Sequence, residues 1–256
     1  MRSLEGKVAL VTGSSSGIGQ GIAEKFAQEG ARVVINYSRS AEGGDATLAM
    51  VRQAGSDGVI VQADVTKMDD IRRLIDAAYD SFGTLDILVN NAGMEKKASF
   101  TEVLEADYDQ VMAVNMKGPF FLTQYFVQNL QNAKKPGRII NISSVHEDMA
   151  FPGFTSYCMS KGGMRMFTRN LAVELGPMNI TINNIAPGAI RTPINTKLLE
   201  DKDKLDALLK NIPLNRLGTT DDVAELAAFL ASDRAAYVTG STYVVDGGLM
   251  RNYHEQ

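Results

Sequence analysis

The sequence predicts a single doubly wound α/β domain, residues 1–256, in which seven parallel strands form one sheet with helices on both faces. Short runs of β-branched residues alternate with longer segments of helical spacing, which is typical of successive right-handed βαβ units. Several runs are apolar almost throughout, such as Val8–Val11, and this predicts strands that are buried on both faces. No linker, internal repeat or low-complexity tract divides the chain.

The same patterns give each element an expected place. Strands are expected at Val8–Val11, Arg32–Tyr37, Gly58–Gln62, Leu85–Asn90, Arg138–Ser143, Thr181–Ala186 and Thr242–Val245. Helices are expected at Ile18–Glu29, Ala41–Ala54, Met68–Phe82, Asp107–Leu130, Tyr157–Leu175 and Thr219–Ala231. Residues 194–217 are charged and only loosely helical, which leaves two interpretations open, a substrate-covering insertion or a solvated surface helix.

The amino-acid composition limits which binding partners and which cellular compartment are expected for this protein. Lys and Arg number 26 against 30 Asp and Glu, and the resulting net charge of −4 argues against nucleic acid or an anionic membrane as a partner. No run reaches the ~18 apolar residues of a membrane span. The one cysteine, Cys158, excludes an internal disulfide and indicates a cytoplasmic protein. With only two histidines beside it, no metal site is expected.

A glycine-rich turn follows the first predicted strand and opens the first predicted helix. Its sequence runs from Thr12 to Gly19 with the spacing Gly-x-x-x-Gly-x-Gly. Glycines let the backbone approach a pyrophosphate, and the helix N-terminus supplies free N–H groups and a positive dipole end. This context favours a Rossmann-type dinucleotide site over a plain strand–helix connector. The expected cofactor-binding residues are Gly13, Ser15, Ser16, Gly17, Ile18 and Gly19.

The end of the second strand selects between cofactors. A carboxylate there would bind the ribose hydroxyls of NAD, but this sequence has Tyr37, Ser38 and Arg39 instead. A guanidinium flanked by hydroxyls pairs well with a 2′-phosphate, so NADP is the expected cofactor and NAD is the alternative. The open alternative is a surface arginine that tolerates both cofactors.

Two further loops are expected along the cofactor. Asp64, followed by Val65, comes after the third strand and is placed to accept a hydrogen bond from the adenine amino group, or to cap the next turn. Asn91, Ala92 and Gly93 follow the fourth strand, where small residues let the backbone pass close to a ribose.

Tyr157 and Lys161 carry the expected chemistry. They lie four residues apart on one helical face, just after the fifth strand. A phenol has a pKa of about 10, and a nearby ammonium together with a cationic nicotinamide can stabilise the phenolate that a general base requires. Ser144, at the end of the fifth strand, is placed to hold a substrate oxygen. Asn115, in the long predicted helix, is a candidate holder of a water that links Lys161 to solvent; the alternative is a surface asparagine or one that kinks the helix.

The order and spacing of these motifs resemble the short-chain dehydrogenase/reductase family over roughly Leu4 to Met250. The resemblance implies hydride transfer on a nicotinamide, usually in a homotetramer. It also implies a catalytic tetrad of Asn115, Ser144, Tyr157 and Lys161, and it adds the nicotinamide-flanking residues Pro187, Gly188, Ile190 and Thr192.

The residues around Ser144 set the expected substrate. His146, Glu95 and Asn195 follow carboxyl ends of strands and are expected, with Ser144 and Tyr157, to contact it. The stretch from Ser143 to Glu147 resembles bacterial glucose 1-dehydrogenases, which implies a small-molecule sugar substrate and oxidation of glucose to gluconolactone. Two alternatives remain, a 3-oxoacyl-carrier-protein or other carbonyl reductase, and a non-catalytic dinucleotide-binding regulator.

Overall fold

A computed structural model describes residues 2–193, 196 and 200–252, and it confirms the predicted seven-stranded parallel sheet with helices on both sides. The strand order is β3-β2-β1-β4-β5-β6-β7. The order reverses between β1 and β4, and ligands bind in such sheets at the crevice outside that point. The strands are β1 (Val8–Val11), β2 (Arg32–Tyr37), β3 (Gly58–Gln62), β4 (Ile87–Asn90), β5 (Gly137–Ile142), β6 (Ile180–Pro187) and β7 (Thr242–Val245).

Helices cover both faces of the sheet. One hydrophobic core lies between the sheet and helices α1 and α8, and the other lies between the sheet and helices α3, α5 and α6. Buried β-branched and leucine side chains of successive strand positions alternate between these cores, which explains why the strand sequences are apolar throughout. The helices are α1 (Gly17–Gln28), α2 (Ala41–Gln53), α3 (Met68–Phe82), α4 (Glu105–Met112), α5 (Gly118–Ala133), α6 (Thr155–Leu175), α7 (Lys202–Lys210) and α8 (Thr220–Ala231).

The long helix expected over 107–130 is interrupted. A π-helical turn at Ala113–Lys117 separates α4 from α5 and contains Asn115. A wider turn of this kind is common at functional sites because it redirects the side chains that it carries. Periodicity could not reveal the interruption, since the apolar pattern continues across it.

The segment expected to be loosely helical, 194–217, contains helix α7 among its described residues. Asp201 caps this helix by accepting a hydrogen bond from the Lys204 main-chain N–H at 3.2 Å. Most of its side chains are exposed or half-buried, which agrees with a solvated helix at the rim of the molecule.

Three asparagines lie side by side in the middle of the sheet. Asn90 on β4 pairs in register with Asn141 on β5, which pairs with Asn184 on β6, and all three side chains are buried. Buried amides must find hydrogen-bond partners, so this row forms a continuous polar path through an otherwise apolar layer. The path ends next to the turn after β5, where the expected reacting residues are found.

No helix in the described part of the chain is both long enough and apolar enough to cross a bilayer.

Candidate active site

The glycine-rich turn forms a close-fitting cradle between β1 and α1. Gly13 and Gly17 have φ angles of 61° and 58°, in the left-handed region that favours glycine. A Cβ on Gly19 would lie 2.4 Å from Asn91 Nδ2 and 2.7 Å from the Gly13 carbonyl oxygen. The turn therefore holds the first turn of α1, with the N–H groups that a helix leaves unpaired, open towards an anion such as a pyrophosphate.

Side chains from neighbouring strands fix this cradle. Asn91 donates to the carbonyl oxygens of Thr12 and Gly13 at 2.8 and 3.1 Å. The Thr12 hydroxyl accepts from the main-chain N–H groups of Asn91 and Ala92, both at 3.0 Å. Asn36 Oδ1 accepts from the Gly13 N–H at 3.0 Å. The role of Asn36 was missed from the sequence, although a polar residue near the end of an apolar strand was the available signal.

The residues expected at the adenosine end gather after β2 and β3. Tyr37 ends β2, while Ser38 and Arg39 are exposed in the loop that follows. Burial alone would raise the pKa of Asp64, but hydrogen bonds from Thr66 and the charges of Lys67 and Arg39 lower it overall. The positive charge of Arg39 is therefore close enough to Asp64 to favour its ionised form.

Asp64 performs the structural role that the sequence left open. Its Oδ1 accepts from the Thr66 N–H at 3.0 Å and from the Thr66 hydroxyl at 2.8 Å, which caps the turn before α3. The other carboxylate oxygen of Asp64, Oδ2, would therefore be the one that accepts a hydrogen bond from the adenine amino group. The carbonyl oxygen of the adjacent Val65 lies 2.8 Å from where a Cβ on Gly118 would stand, so the loop after β3 approaches the start of α5 closely here.

The residues expected at the nicotinamide follow β6. Pro187 ends that strand, and a Cβ on Gly188 would stand 2.7 Å from Asp246 Cβ. Ile190 is buried and forms a parallel bridge with Gly218. The Thr192 side chain lies 3.6 Å from the Cβ position of Gly17. Thr192 thus borders the glycine-rich cradle, whereas the Ile190 side chain belongs to the core beneath it.

Tyr157 and Ser144 meet across the turn after β5. The Ser144 hydroxyl lies close enough to the phenol to lower its pKa, and Ser144 Oγ accepts from the His146 N–H at 3.2 Å. Burial nevertheless raises the pKa of Tyr157 to about 12, and the charge of Glu95 adds to this increase. The protein's own groups, Lys161 included, therefore leave Tyr157 as a neutral phenol at pH 7. A cation brought against the ring is needed to lower its pKa.

Lys161 lies one helical turn below Tyr157. Its Nζ donates to the Ile142 carbonyl oxygen at 2.9 Å and lies 5.5 Å from the centre of the Tyr157 ring. The side chain is only 5% exposed, and this burial lowers the pKa of Lys161 to about 8, against the opposing charges of Glu147 and Glu95. Lys161 thus remains mostly protonated at neutral pH, close to the reacting phenol.

Asn115 connects the π-helical turn to the loop after β4. Its Nδ2 donates to the Met94 carbonyl oxygen at 2.9 Å and to Ser160 Oγ at 3.0 Å, while its Oδ1 accepts from the Met94 N–H at 2.9 Å. Both amide hydrogens are therefore used inside the protein. The second lone pair of Oδ1 is the group that could still hold a water near Lys161.

His146 lies near Tyr157, but the strand geometry that was expected to orient it is not what places it there. Strand geometry ends at Ile142, and His146 lies in a short 3₁₀ turn, so alternation along a strand does not orient it. The ring still lies 6.3 Å from the Tyr157 ring, at an angle of 66°. His146 Nδ1 lies 3.2 Å from the Met149 carbonyl oxygen, and burial lowers the pKa of the imidazole. A neutral ring with its hydrogen on Nδ1 leaves Nε2 as an acceptor.

Aromatic rings extend the wall that His146 begins. His146 stacks on Phe151 with ring centres 4.1 Å apart, and Phe151 stacks on Phe154 at the same distance. The Ala98 N–H donates to the Gly153 carbonyl oxygen at 2.9 Å, which ties this loop to the one after β4. The two loops therefore border the reacting groups together, with flat apolar faces and one imidazole.

The remaining candidates differ in how well they are defined. Partial burial raises the pKa of Glu95 against the opposing charge of Lys161, so the carboxylate and the ammonium are close enough to interact electrostatically. Burial also raises the pKa of the Cys158 thiol, as expected for a structural rather than a reactive cysteine. Asn195 lies outside the described residues.

Comparison with known proteins supports the family assignment. The model of the enoyl-(acyl carrier protein) reductase family, a short-chain dehydrogenase/reductase family, matches residues 13–250. A solved gluconate 5-dehydrogenase from Burkholderia cenocepacia, in complex with NADP and tartrate, superposes with a TM-score of 0.91 at 35% identity, covering 98% of this chain and 97% of that one.

Curated relatives span several substrates. 3β-Hydroxysteroid dehydrogenase 1 of Eggerthella lenta is 43% identical over 96% of this chain and 94% of its own length. Glucose 1-dehydrogenase 2 of Bacillus subtilis is 42% identical over 97% and 96%. The 3-oxoacyl-[acyl-carrier-protein] reductase of Synechocystis is 39% identical over 98% and 99%. The family model and these relatives together show that the chain belongs to the short-chain dehydrogenase/reductase family of NAD(P)-dependent oxidoreductases.

Proposed function

We propose that the protein is an NADP-dependent aldose 1-dehydrogenase that oxidises glucose to gluconolactone. The single observation that carries the proposal is the acceptor nitrogen of His146 next to Tyr157, since Nδ1 is engaged by the Met149 carbonyl. An imidazole acceptor and the carboxylate of Glu95 suit a substrate with several hydroxyl groups. The 42% identity with a glucose 1-dehydrogenase over 97% of the chain supports the same substrate.

The catalytic roles follow from the contacts. Tyr157 as phenolate takes the proton of the anomeric hydroxyl, while Ser144, whose hydroxyl is close to the phenol, holds the same oxygen. The bound nicotinamide supplies the acceptor for the C1 hydride. Lys161 stabilises the phenolate and can bind the nicotinamide ribose, and Asn115 fixes the loop at Met94 and keeps one lone pair for a relay water.

The cofactor would be held at three places. The glycine-rich cradle between Gly13 and Gly19 accepts the pyrophosphate, because any side chain there would fill the space. Arg39 would pair with the 2′-phosphate, and Asp64 Oδ2 would accept from the adenine. The relative solved with NADP is consistent with NADP as the preferred cofactor, with NAD as the weaker alternative.

We also propose that the protein is a homotetramer in the cytoplasm. Apolar side chains stand exposed on one side of α5 and α6, and burying them between subunits would remove apolar surface from water. These are Phe120 (48% exposed), Met159 (53%), Met166 (58%) and Val173 (79%).

A second candidate is oxidation of a hydroxysteroid or reduction of another apolar carbonyl substrate. The stacked faces of His146, Phe151 and Phe154 favour it, because a flat hydrocarbon skeleton buries well against such a wall. The first relative described above, a 3β-hydroxysteroid dehydrogenase, points the same way.

Initial rates separate the candidates. Purified protein is assayed with a panel of aldoses and 3β-hydroxysteroids, each with NADP⁺ and NAD⁺, and with acetoacetyl thioesters and NADPH. We expect the highest kcat/KM for glucose with NADP⁺. His146→Leu should raise KM for glucose by roughly tenfold, the effect of one lost neutral hydrogen bond. Higher kcat/KM for a steroid or a thioester would contradict the aldose assignment.

A further inference from the structure

Asn36 is a buried side chain that contacts both the glycine-rich turn and the loop after β3. It lies one residue before the end of β2, between β1 on one side and β3 on the other, and it is only 2% exposed. A buried amide is costly unless its oxygen and its nitrogen both find hydrogen-bond partners. The partners of Asn36 belong to two different parts of the proposed cofactor site.

Towards β1, Asn36 holds the beginning of the glycine-rich turn. Its Oδ1 accepts from the Gly13 N–H at 3.0 Å. Its main-chain carbonyl oxygen accepts from the Ser14 N–H at 2.9 Å, and its own N–H donates to Ser14 Oγ at 3.0 Å. Gly13 has already left the extended conformation, with a φ angle of 61°. Three hydrogen bonds from one residue therefore fix where the chain turns out of β1 into the cradle.

Towards β3, the other edge of the same amide holds the main chain that leads to Asp64. Nδ2 donates to the Ala63 carbonyl oxygen at 3.0 Å and lies 3.3 Å from the carbonyl oxygen of Val61. Ala63 directly precedes Asp64, the residue proposed to bind adenine. The Ala63 N–H also donates to the Tyr37 carbonyl oxygen at 2.9 Å, so the ends of β2 and β3 stay joined even without the amide.

These contacts require the two different edges of an amide. The Gly13 N–H faces one edge and carbonyl oxygens face the other, so the side chain must accept at the first and donate at the second. Aspartate would place a negative charge against the carbonyl oxygens. Leucine, which is similar in size, could neither accept nor donate. The chemistry of the position therefore favours asparagine.

We infer that Asn36 is a positioning residue for the cofactor, whose amide sets the distance between the pyrophosphate cradle and the adenosine end. The inference rests on the cofactor placement proposed above, and it is independent of the substrate. A site whose two halves are already fixed at the right separation loses less conformational freedom when it binds a ligand that spans both. Without the amide, a spanning ligand should lose affinity, whereas a ligand confined to the adenosine end should not.

Asn183 provides a matched control in another part of the sheet. It lies on β6, which three strands separate from β2, and it is 1% exposed. Its Nδ2 donates to the Val238 carbonyl oxygen at 2.8 Å, and its Oδ1 accepts from the Ser241 N–H at 3.2 Å. Replacing either asparagine by alanine removes a buried amide that bridges main-chain groups, so both variants should unfold at lower urea than wild type. Only the loss of Asn36 should affect the cofactor.

The test measures affinity for two ligands by isothermal titration calorimetry, without any substrate. NADP⁺ spans both halves of the site, and adenosine 2′-monophosphate occupies the adenosine end alone. Asn36→Ala should weaken NADP⁺ binding about tenfold and change the affinity for adenosine 2′-monophosphate by no more than about twofold. Asn183→Ala should bind both ligands like wild type. In steady-state assays, Asn36→Ala should raise KM for NADP⁺ and leave kcat at saturating cofactor nearly unchanged.

A second variant serves if Asn36→Ala does not fold. Ser14→Ala leaves the amide in place and removes the hydroxyl that accepts from the Asn36 N–H. One of the three hydrogen bonds between Asn36 and the turn is then lost. NADP⁺ should bind about threefold more weakly, and the affinity for adenosine 2′-monophosphate should stay as in wild type.

Three results overturn the inference. The first is a folded Asn36→Ala or Ser14→Ala variant that binds NADP⁺ as tightly as wild type. The second is an equal loss of affinity for both ligands, which would confine the effect to the adenosine end. The third is an equal loss of NADP⁺ affinity in Asn183→Ala, which a general loosening of the sheet would produce. Failure of the proposed cofactor placement looks different, because adenosine 2′-monophosphate would then not compete with NADP⁺ for wild-type protein.

Discussion

Lys161 Nζ lies 5.5 Å from the centre of the Tyr157 ring, one turn away on the same helix. Each group is buried in a way that disfavours its charge, so the pKa of the lysine is lowered to about 8 and that of the tyrosine is raised to about 12. Ionising the phenol becomes favourable only when further positive charge reaches the pair. The ionisation of Tyr157 should therefore respond strongly to any further cation that binds beside the pair.

The first prediction concerns ionisation of Tyr157. Saturating NADP⁺ at about pH 9 should produce a phenolate difference spectrum in the ultraviolet, because a cation near the ring lowers the pKa of the phenol. NADPH, which lacks the ring charge, should produce none. Tyr157→Phe should abolish the signal and reduce kcat about 10³-fold, the range expected for loss of a general base. An equal signal with both cofactor forms would contradict this coupling.

The second prediction concerns the energetic cost of Lys161. Its pKa is about 8 in the folded protein against 10.5 in the unfolded chain, so the unfolded state binds more protons between these values and stability rises with pH across that window. The burial of the ammonium costs about 3 kcal/mol below pH 8, at about 1.36 kcal/mol for each pKa unit.

Lys161→Met should therefore be inactive and yet more stable than wild type at pH 7. We expect a net gain of about 2 kcal/mol, because the lost hydrogen bond to Ile142 offsets about 1 kcal/mol of it. Urea unfolding at several pH values measures the free energy of unfolding of the variant and of wild type. The difference between them should shrink as the pH rises from 8 towards 10.5. A variant less stable than wild type at pH 7 would show that the ammonium is not destabilising.

The third prediction concerns the choice of cofactor. Arg39→Ala should weaken NADP⁺ binding by about 10- to 100-fold, which corresponds to loss of hydrogen bonds to a charged phosphate. NAD⁺ affinity should change little, since NAD⁺ carries no 2′-phosphate. Isothermal titration calorimetry with each oxidised cofactor measures this, with Arg52→Ala, an exposed arginine on α2, as control. Parallel loss of both affinities would assign Arg39 to a general structural role.

The fourth prediction concerns Asn115. Asn115→Ala removes three hydrogen bonds and leaves both main-chain groups of Met94 without their partner. A buried polar group left unpaired costs about 1–3 kcal/mol, so unfolding should occur at lower urea. The kcat should fall more than KM rises, because the loop after β4 borders the reacting groups. If the variant loses activity but not stability, Asn115 acts only by holding the relay water and not by fixing the loop after β4.

Local patterns determined much of the architecture. Residue spacing along one element or across one turn predicts the strands and helices, the cofactor cradle and the pair of Tyr157 and Lys161. Such spacing determines which way the side chains point on that element, whatever the rest of the chain does. The seven-stranded sheet was predicted correctly for this reason.

The sequence by itself determined the fold, the family and the groups capable of acid–base chemistry. Tertiary structure decided the π-helical turn that carries Asn115, the alignment of Asn90, Asn141 and Asn184, and the hydrogen bond from Asn184 to Glu147. It also decided the direction of each pKa shift, because desolvation depends on everything packed around a group rather than on its neighbours in the chain.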